Sequence, residues 1–221
     1  MSPWVAIRGR IVRQSIISSD VTHRPVRGET STAGELHPGR CRHLIELIER
    51  ATRRRVTLVC APRGTGKTLA CSLWAVGQLS SLVVWLTLSA DDDPSLFWAG
   101  MYHGLMRAAA APVDAMQMLA EATAAEFPLW LSEAARWFVT PVVIVIDNAH
   151  DATSNLVLTG LDLLLGNAPP NLRIVLAGRD RPQLRQLARL QASGDVTIIG
   201  PADLACAAAL LPRGGSSYGR R

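Results

Sequence analysis

The 221-residue sequence predicts an α/β fold in which a mostly parallel sheet carries helices on both faces. Three observations lead there. Strand and helix signals alternate from about residue 40 onward. The stretch PVVIVIDNAH, residues 141–150, holds five consecutive β-branched residues, Val142 to Ile146, the pattern of a strand buried on both faces. The stretch APRGTGKT, residues 61–68, lies between an apolar strand run and a segment of helical period, where a phosphate-binding loop belongs.

Taken in order, residues 1–36 show no sustained period and are rich in Ser, Thr, Gly and Arg, so a poorly ordered or loosely docked arm is expected. A helix over about 40–51 (RCRHLIELIER) precedes the first strand, VTLVC at 56–60. LACSLWAVGQL follows the loop, with Leu69, Leu73 and Trp74 at helical spacing. LVVWLTL, residues 82–88, is the second strand, and after it Asp93 and Pro94 read as a helix N-cap and first helical residue. The run Asp91 to Asp93 reads as capping and solvated loop ahead of a metal site. Residues 95–139 read as helical, broken near Pro112 and Pro128; their aromatics Phe97, Trp98, Trp130, Trp137 and Phe138 read as core rather than a ligand box. The third strand is 141–150 and the fourth LRIVLAG at 172–178. A helix over 182–192 starting at Pro182, a fifth strand over 195–200 and a helix over PADLACAAALL complete the series, leaving 212–221 as a basic, Gly-rich tail.

Lys67 is the only lysine, since all other positions in the Lys+Arg total of 23 are arginine. An ammonium is a compact point charge on a flexible stem, whereas a guanidinium is a planar fork, so a narrow loop that needs one small cation retains lysine. In G-x-x-x-x-G-K-[ST] the backbone N–H groups cradle phosphates, the lysine reaches the β- and γ-phosphates, and the next hydroxyl binds Mg²⁺. Gly66, Lys67 and Thr68 match, while Ala61 stands at the first position. The segment is therefore read as a P-loop, in a P-loop NTPase three-layer sandwich with a five-stranded sheet. Its candidate nucleotide contacts are Ala61, Pro62, Arg63, Gly64, Thr65, Gly66, Lys67, Thr68 and Leu69.

Asp147 closes the third strand, at the sheet edge where open α/β sheets bind ligands. There a carboxylate can hold the Mg²⁺ whose other side is held by Thr68, the alternative being an ordinary turn aspartate. The next residue is Asn148, an amide that can orient water but cannot take its proton as a carboxylate does, so nucleotide binding is better supported than turnover. His150 and Asp151 stand close enough in sequence to substitute, although a histidine after a strand is commonly a surface or capping residue. Arg179, at the end of the fourth strand, has two readings of equal standing: a γ-phosphate contact, or an ordinary loop arginine beside Arg181.

Composition narrows the partners. The 48% hydrophobic content over this length suits one sizeable core. The net charge of +5 is concentrated in the arm from Arg8 to Arg27, in Arg53 to Arg55, and in Arg213, Arg220 and Arg221, and reads mostly as solvated charge. With no helix-turn-helix pattern, no specific DNA binding is expected, and residual affinity would be electrostatic and salt-dependent. Cys41, Cys60, Cys71 and Cys206 lack C-x-x-C spacing and are expected as free thiols in a reducing cytoplasm. No apolar run long enough for a membrane helix, and no continuous apolar signal core, is present in the sequence.

Five segments together resemble the ATPase domain of the MalT-like, LuxR-type large ATP-binding transcriptional regulators, a branch of the STAND NTPases. They are RRRVTLVCAPRGTGKT, VVWLTLSADDDPSLFW, PVVIVIDNAHD, APPNLRIVLAGRDRPQLRQLARLQASG and the closing ADL, within roughly residues 37–211. The resemblance implies that residues 61–68 are the nucleotide loop, Asp147 the Mg²⁺-linked acid and Arg179 the sensor arginine. It also implies that the Arg179 strand lies between the loop strand and the Asp147 strand. It implies ADP in a resting state, ATP in an active self-associating state, and regulator domains as partners. Three departures stand out: Asn148 where an acid is usual, a short PADLACAAALL, and a chain ending at LPRGGSSYGRR where the family continues into winged-helix, repeat-sensor and DNA-binding regions. The resulting expectation is an ATP/ADP switch domain without those regions and with weak ATP hydrolysis at most. Two alternatives stay open. One is a stand-alone P-loop ATPase or phosphotransferase with Arg181, Arg185 and Arg189 as a lid; the other is an interaction module with a vestigial loop, which the retained Lys67 argues against.

Overall fold

The computed structural model describes residues 11–12, 38–90, 93–108 and 112–209. The elements run β1 (Ile11–Val12), α1 (Pro38–Ala51), β2 (Val56–Cys60), α2 (Lys67–Val76), β3 (Leu82–Thr87), α3 (Pro94–Ala108), α4 (Val113–Glu121), α5 (Phe127–Ala134), β4 (Val142–Asp147), α6 (Asn155–Asn167), β5 (Leu172–Gly178), α7 (Arg185–Ala192), β6 (Val196–Ile199) and α8 (Pro201–Ala209). The sheet order is β1-β3-β4-β5-β2-β6. Strands β2 to β6 are mutually parallel, the five-stranded arrangement expected, and β5 lies between β2 and β4 as the resemblance implied. The short β1, from within the N-terminal arm, adds a sixth, antiparallel strand at the β3 edge. Its two residues carry too little periodicity to be read as a strand from sequence.

The sheet is covered on both sides because its strands are apolar on both sides. Val142, Ile144 and Ile146 of β4 join one core with Leu58, Leu86, Ile174 and the helices α3 to α7. Val143 and Val145, pointing the other way, join a second core with Val59, Val83, Val175 and helices α1, α2 and α8. The side-chain period of two along a strand makes this division unavoidable once every residue from 142 to 146 is branched and apolar. Helices close in where glycine permits it. A Cβ at Gly104 of α3 would run into Val84 of β3, and one at Gly160 of α6 would run into the Trp98 ring.

Several boundaries differ from the sequence reading. The third strand stops at Asp147, because Asn148 turns left-handed (φ 56°, ψ 37°) into a 3-10 turn over Ala149–Asp151. The helix expected from Pro182 begins at Arg185 instead: Leu184 is extended, and the Asp162 carboxylate of α6 accepts the backbone N–H groups of Arg185 (3.1 Å) and Gln186 (3.0 Å). A tertiary cap thus sets that start, which local spacing cannot show. Residues 95–139 resolve into three helices and a 3-10 turn, and of their aromatics Phe97, Trp98 and Phe138 are buried, while Trp137 is 67% exposed and no part of the core. Leu69 also faces outward on α2, where Cys71, Trp74 and Ala75 take the core side. Asp93 does cap α3, its Oδ1 accepting Ser95 N–H at 2.7 Å. Cys60 and Cys71 are free thiols. The remainder of the 1–36 arm, Asp91 and Asp92, residues 210–211 of the helix expected over PADLACAAALL, the 212–221 tail, and the side chains of Cys41 and Cys206 lie outside the described residues.

Candidate nucleotide-binding site

The parallel register brings four strand ends to one edge of the sheet. Cys60 pairs with Gly178, and Thr87 with Asp147, so the loop after β2, the acid ending β4 and the arginine after β5 emerge side by side. Ala61 N–H donates to Gly178 O at 3.2 Å, tying the first loop residue to the residue before Arg179. Ala61 is buried at 2% exposure, which leaves room for a small side chain and explains how alanine serves where the pattern has glycine.

The loop turns twice through conformations that require glycine. Gly64 (φ 79°) and Gly66 (φ 86°) are both left-handed, and a Cβ on either would meet nothing within 4 Å, so the demand is for backbone angle rather than space. Gly66 is also the N-cap of α2 and supplies no side-chain cap. The first N–H groups of a ten-residue helix are thereby left facing the loop, an anion-binding arrangement.

Lys67 Nζ donates to Ala61 O at 2.6 Å and Pro62 O at 2.8 Å, folding back over the loop it follows. Thr68 Oγ1 donates to Asp147 Oδ2 at 3.0 Å, and Asn148 N–H donates to Asp147 Oδ1 at 3.0 Å. Both oxygens of Asp147, a residue only 5% exposed, therefore have donors. Asn148 Nδ2 lies 3.5 Å from Leu88 O, the carbonyl just after β3. Behind the loop, burial pushes the Cys71 thiol up to about 12, with the Asp147 charge adding and Lys67 opposing. Burial also raises Cys60, opposed by Arg181 and Lys67 and helped by Asp180, which puts Arg181 among the charges felt at the loop's strand end.

Arg179 stands beside these residues, and its side-chain hydrogen-bond partner among the described residues is His150. Arg179 Nε lies 2.7 Å from His150 Nε2, and Arg179 Nη2 lies 4.0 Å from Asp151 Oδ1. The sequence pairing of Thr68 with Asp147 is thus brought together in space, Lys67 is on the same loop, and Arg179 is at the same edge. Sequence spacing cannot show the His150 contact: the sequence suggests His150 as a substitute acceptor for a water proton, whereas its ring nitrogen is engaged by arginine.

The fold and loop define a P-loop NTPase, and the chain belongs to the AAA domain family, whose profile matches residues 49–187, more than half its length. More particularly, it is 27% identical over 188 residues to the HTH-type transcriptional regulator MalT of Cronobacter sakazakii (strain ATCC BAA-894), a match covering 82% of this chain and 20% of that protein. It also resembles the crystal structure of a signal transduction ATPase with numerous domains (STAND) carrying a tetratricopeptide repeat sensor, from Pyrococcus horikoshii. That likeness has a TM-score of 0.54 at 19% identity, over 80% of this chain and 25% of the other. A Walker-type ATPase of Pyrococcus abyssi matches 73% of this chain and 52% of its own at 12% identity, with a TM-score of 0.45. The chain thus spans about one fifth to one quarter of its MalT and STAND relatives. The family match and the MalT relative support the motif-based likeness to the ATPase domain of MalT-like regulators. Among the described residues, no helix is long and apolar enough to cross a membrane.

Proposed function

We propose that this domain is the ATP/ADP-binding switch of a STAND-type, MalT-like transcriptional regulator. The observation that carries the reading is the 3.0 Å contact between Thr68 Oγ1 and Asp147 Oδ2 beside a loop whose lysine is bound only to its own carbonyls. A hydroxyl and a carboxylate so close are the two protein oxygens that a phosphate-bound Mg²⁺ takes in this class of site. Bound Mg²⁺ would neutralise charge on the terminal phosphates. For its part, the chain contributes the backbone N–H groups of residues 64–69, the Lys67 ammonium, which exchanges neutral carbonyl acceptors for anionic phosphate, and Arg179 for the γ-phosphate.

Binding is the supported activity; hydrolysis has a weaker basis. Asn148, an amide, follows Asp147, and its amide nitrogen contacts Leu88 O. His150 is engaged by Arg179, and the Asp151 carboxylate lies 3.4 Å from His150 Nε2 and 4.0 Å from Arg179 Nη2, drawn to the same pair. The two free core thiols suit a reducing, cytoplasmic setting. Self-association and contacts with other regulator domains are the expected output of such a switch.

The test is equilibrium binding of labelled ADP and ATP with Mg²⁺ to the purified chain and to Lys67→Ala, with phosphate release followed in the same samples. Binding that is lost in the variant, with slow release, is the expected result. Fast release would favour an ATPase or phosphotransferase, and binding that survives Lys67→Ala would remove the loop from the site.

A further inference from the structure

Arg179 and His150 come from different strand ends and meet with a specific geometry. An arginine side chain is protonated at any ordinary pH and has no acceptor atom, so the 2.7 Å contact from its Nε requires His150 Nε2 to be the bare, accepting nitrogen. The ring proton then sits on Nδ1. That makes the 3.4 Å approach of Arg179 N to Nδ1 a meeting of two donors, and the 3.4 Å separation of Nε2 from Asp151 Oδ1 a contact without a proton. The other two contacts suit the opposite tautomer, and the shortest of the three, from the arginine Nε, is the basis for assigning the ring proton to Nδ1.

The surroundings are built around this contact. The His150 side chain is only 12% exposed, against 48% for Arg179. Gly178 makes the approach possible: a Cβ there would stand 3.2 Å from His150 N and 3.3 Å from His150 Nδ1, tighter than ordinary contact. The left-handed Asn148 turns the chain so that His150 faces the end of β5 rather than continuing the line of β4.

We infer that His150 is the positioning residue for Arg179: it fixes the guanidinium through Nε, so that the outer nitrogens, Nη2 at 4.0 Å from Asp151 Oδ1, can turn to a terminal phosphate. A neutral acceptor is suited to this. A carboxylate in the same place would cancel the charge that the phosphate is to feel, whereas an imidazole orients the fork and cancels nothing. Asp151, at 4.0 Å from Nη2, holds the outer end only at the limit of an ion pair, which a γ-phosphate would displace. The inference rests on the switch reading, within which His150 sets how strongly ATP is preferred over ADP.

The experiment measures ATP and ADP affinities with Mg²⁺ for the full chain and for Arg179→Ala, His150→Ala, His150→Leu and His150→Gln, with thermal unfolding as a check on folding. Leucine fills the volume without an acceptor, in case alanine does not fold, and glutamine returns an acceptor oxygen. The ATP-to-ADP affinity ratio is expected to fall by about tenfold in Arg179→Ala, the scale of one charged hydrogen bond. It should fall comparably in the acceptor-less His150 variants and no further in the double variant Arg179→Ala/His150→Leu, and it should be largely restored in His150→Gln. A ratio that falls for Arg179→Ala but holds for His150→Leu overturns the inference and leaves the switch reading standing. A ratio unmoved by Arg179→Ala overturns both the sensor role and its positioning. Equal losses in His150→Leu and His150→Gln would assign His150 to packing and also overturn the inference.

Discussion

Thr57, the second residue of β2, places a hydroxyl in the core, fully buried and with no hydrogen-bond partner among the described residues. A buried hydroxyl without a partner costs about 1–3 kcal/mol relative to one left in water. Thr57→Val keeps the branched shape and removes the orphan, so it is expected to raise stability by about 1 kcal/mol, read as a higher urea midpoint at unchanged slope. Asn148 calls for a different substitution. Its backbone is left-handed, which Asn and Asp both tolerate, so Asn148→Asp is expected to fold like the parent. If the missing carboxylate is what limits turnover, phosphate release rises by about tenfold or more in that variant. Unchanged release would show that the limit lies elsewhere. Lys67, Thr68 and Asp147 were legible as a set because the spacing of the loop motif and the place of an acid after an apolar strand are local properties. The tie from His150 to Arg179 was not, because it joins residues 29 apart whose meeting depends on which strands are neighbours.

Among the elements, α5 owes its start to the turn before it. Glu126 Oε2 accepts Thr123 N–H at 3.1 Å and Thr123 Oγ1 at 2.7 Å, a capping arrangement over T-x-x-E spacing. Those bonds, the side-chain one first, hold the Glu126 carboxyl below its ordinary value of 4.5. A depressed folded value means that the stabilisation is fully present above about pH 4.5 and is lost as pH falls through the lower folded value. Glu126→Gln should therefore unfold more easily than the parent at neutral pH, with the difference shrinking as the pH is taken below 4.5. Equal gaps at pH 7 and pH 3 would mean that the cap contributes nothing through charge. The contact of α6 with the Trp98 ring makes a steeper prediction. Gly160→Ala overpacks a site closed by Trp98 and Pro128 and is expected to cost about 1–3 kcal/mol, seen as a lower urea midpoint. Helix type and order were readable from periodicity here, but the start of α7 was not, since Asp162 of another helix supplies its cap.

At the scale of the whole molecule, the sheet edge ties stability to ligand. A nucleotide bound at the proposed site would bind the folded state alone, so Mg²⁺-ADP at one hundred times its dissociation constant should add about 2.7 kcal/mol. That gain is expected to appear as a higher unfolding temperature in the parent and to vanish in Lys67→Ala. A gain of equal size in the variant would place the nucleotide somewhere other than the loop. Cys71 gives an independent readout of the same cooperative unit. It is buried behind the loop with its thiol pushed up to about 12, so it should resist alkylation at pH 8 until the molecule opens globally.

The sequence alone determined the class of this protein: the alternation of elements, the doubly apolar β4 and the single lysine in its glycine-rich loop are statements about neighbours along the chain, and local chemistry suffices to read them. Only the tertiary structure decided that β1 borders β3, that Thr68 and Asp147 share a hydrogen bond, and that Arg179 meets His150. Those facts depend on strand order and register, which place residues from distant segments within hydrogen-bond reach. A residue's own identity constrains its backbone, while its partner is chosen by the packing of every element between them.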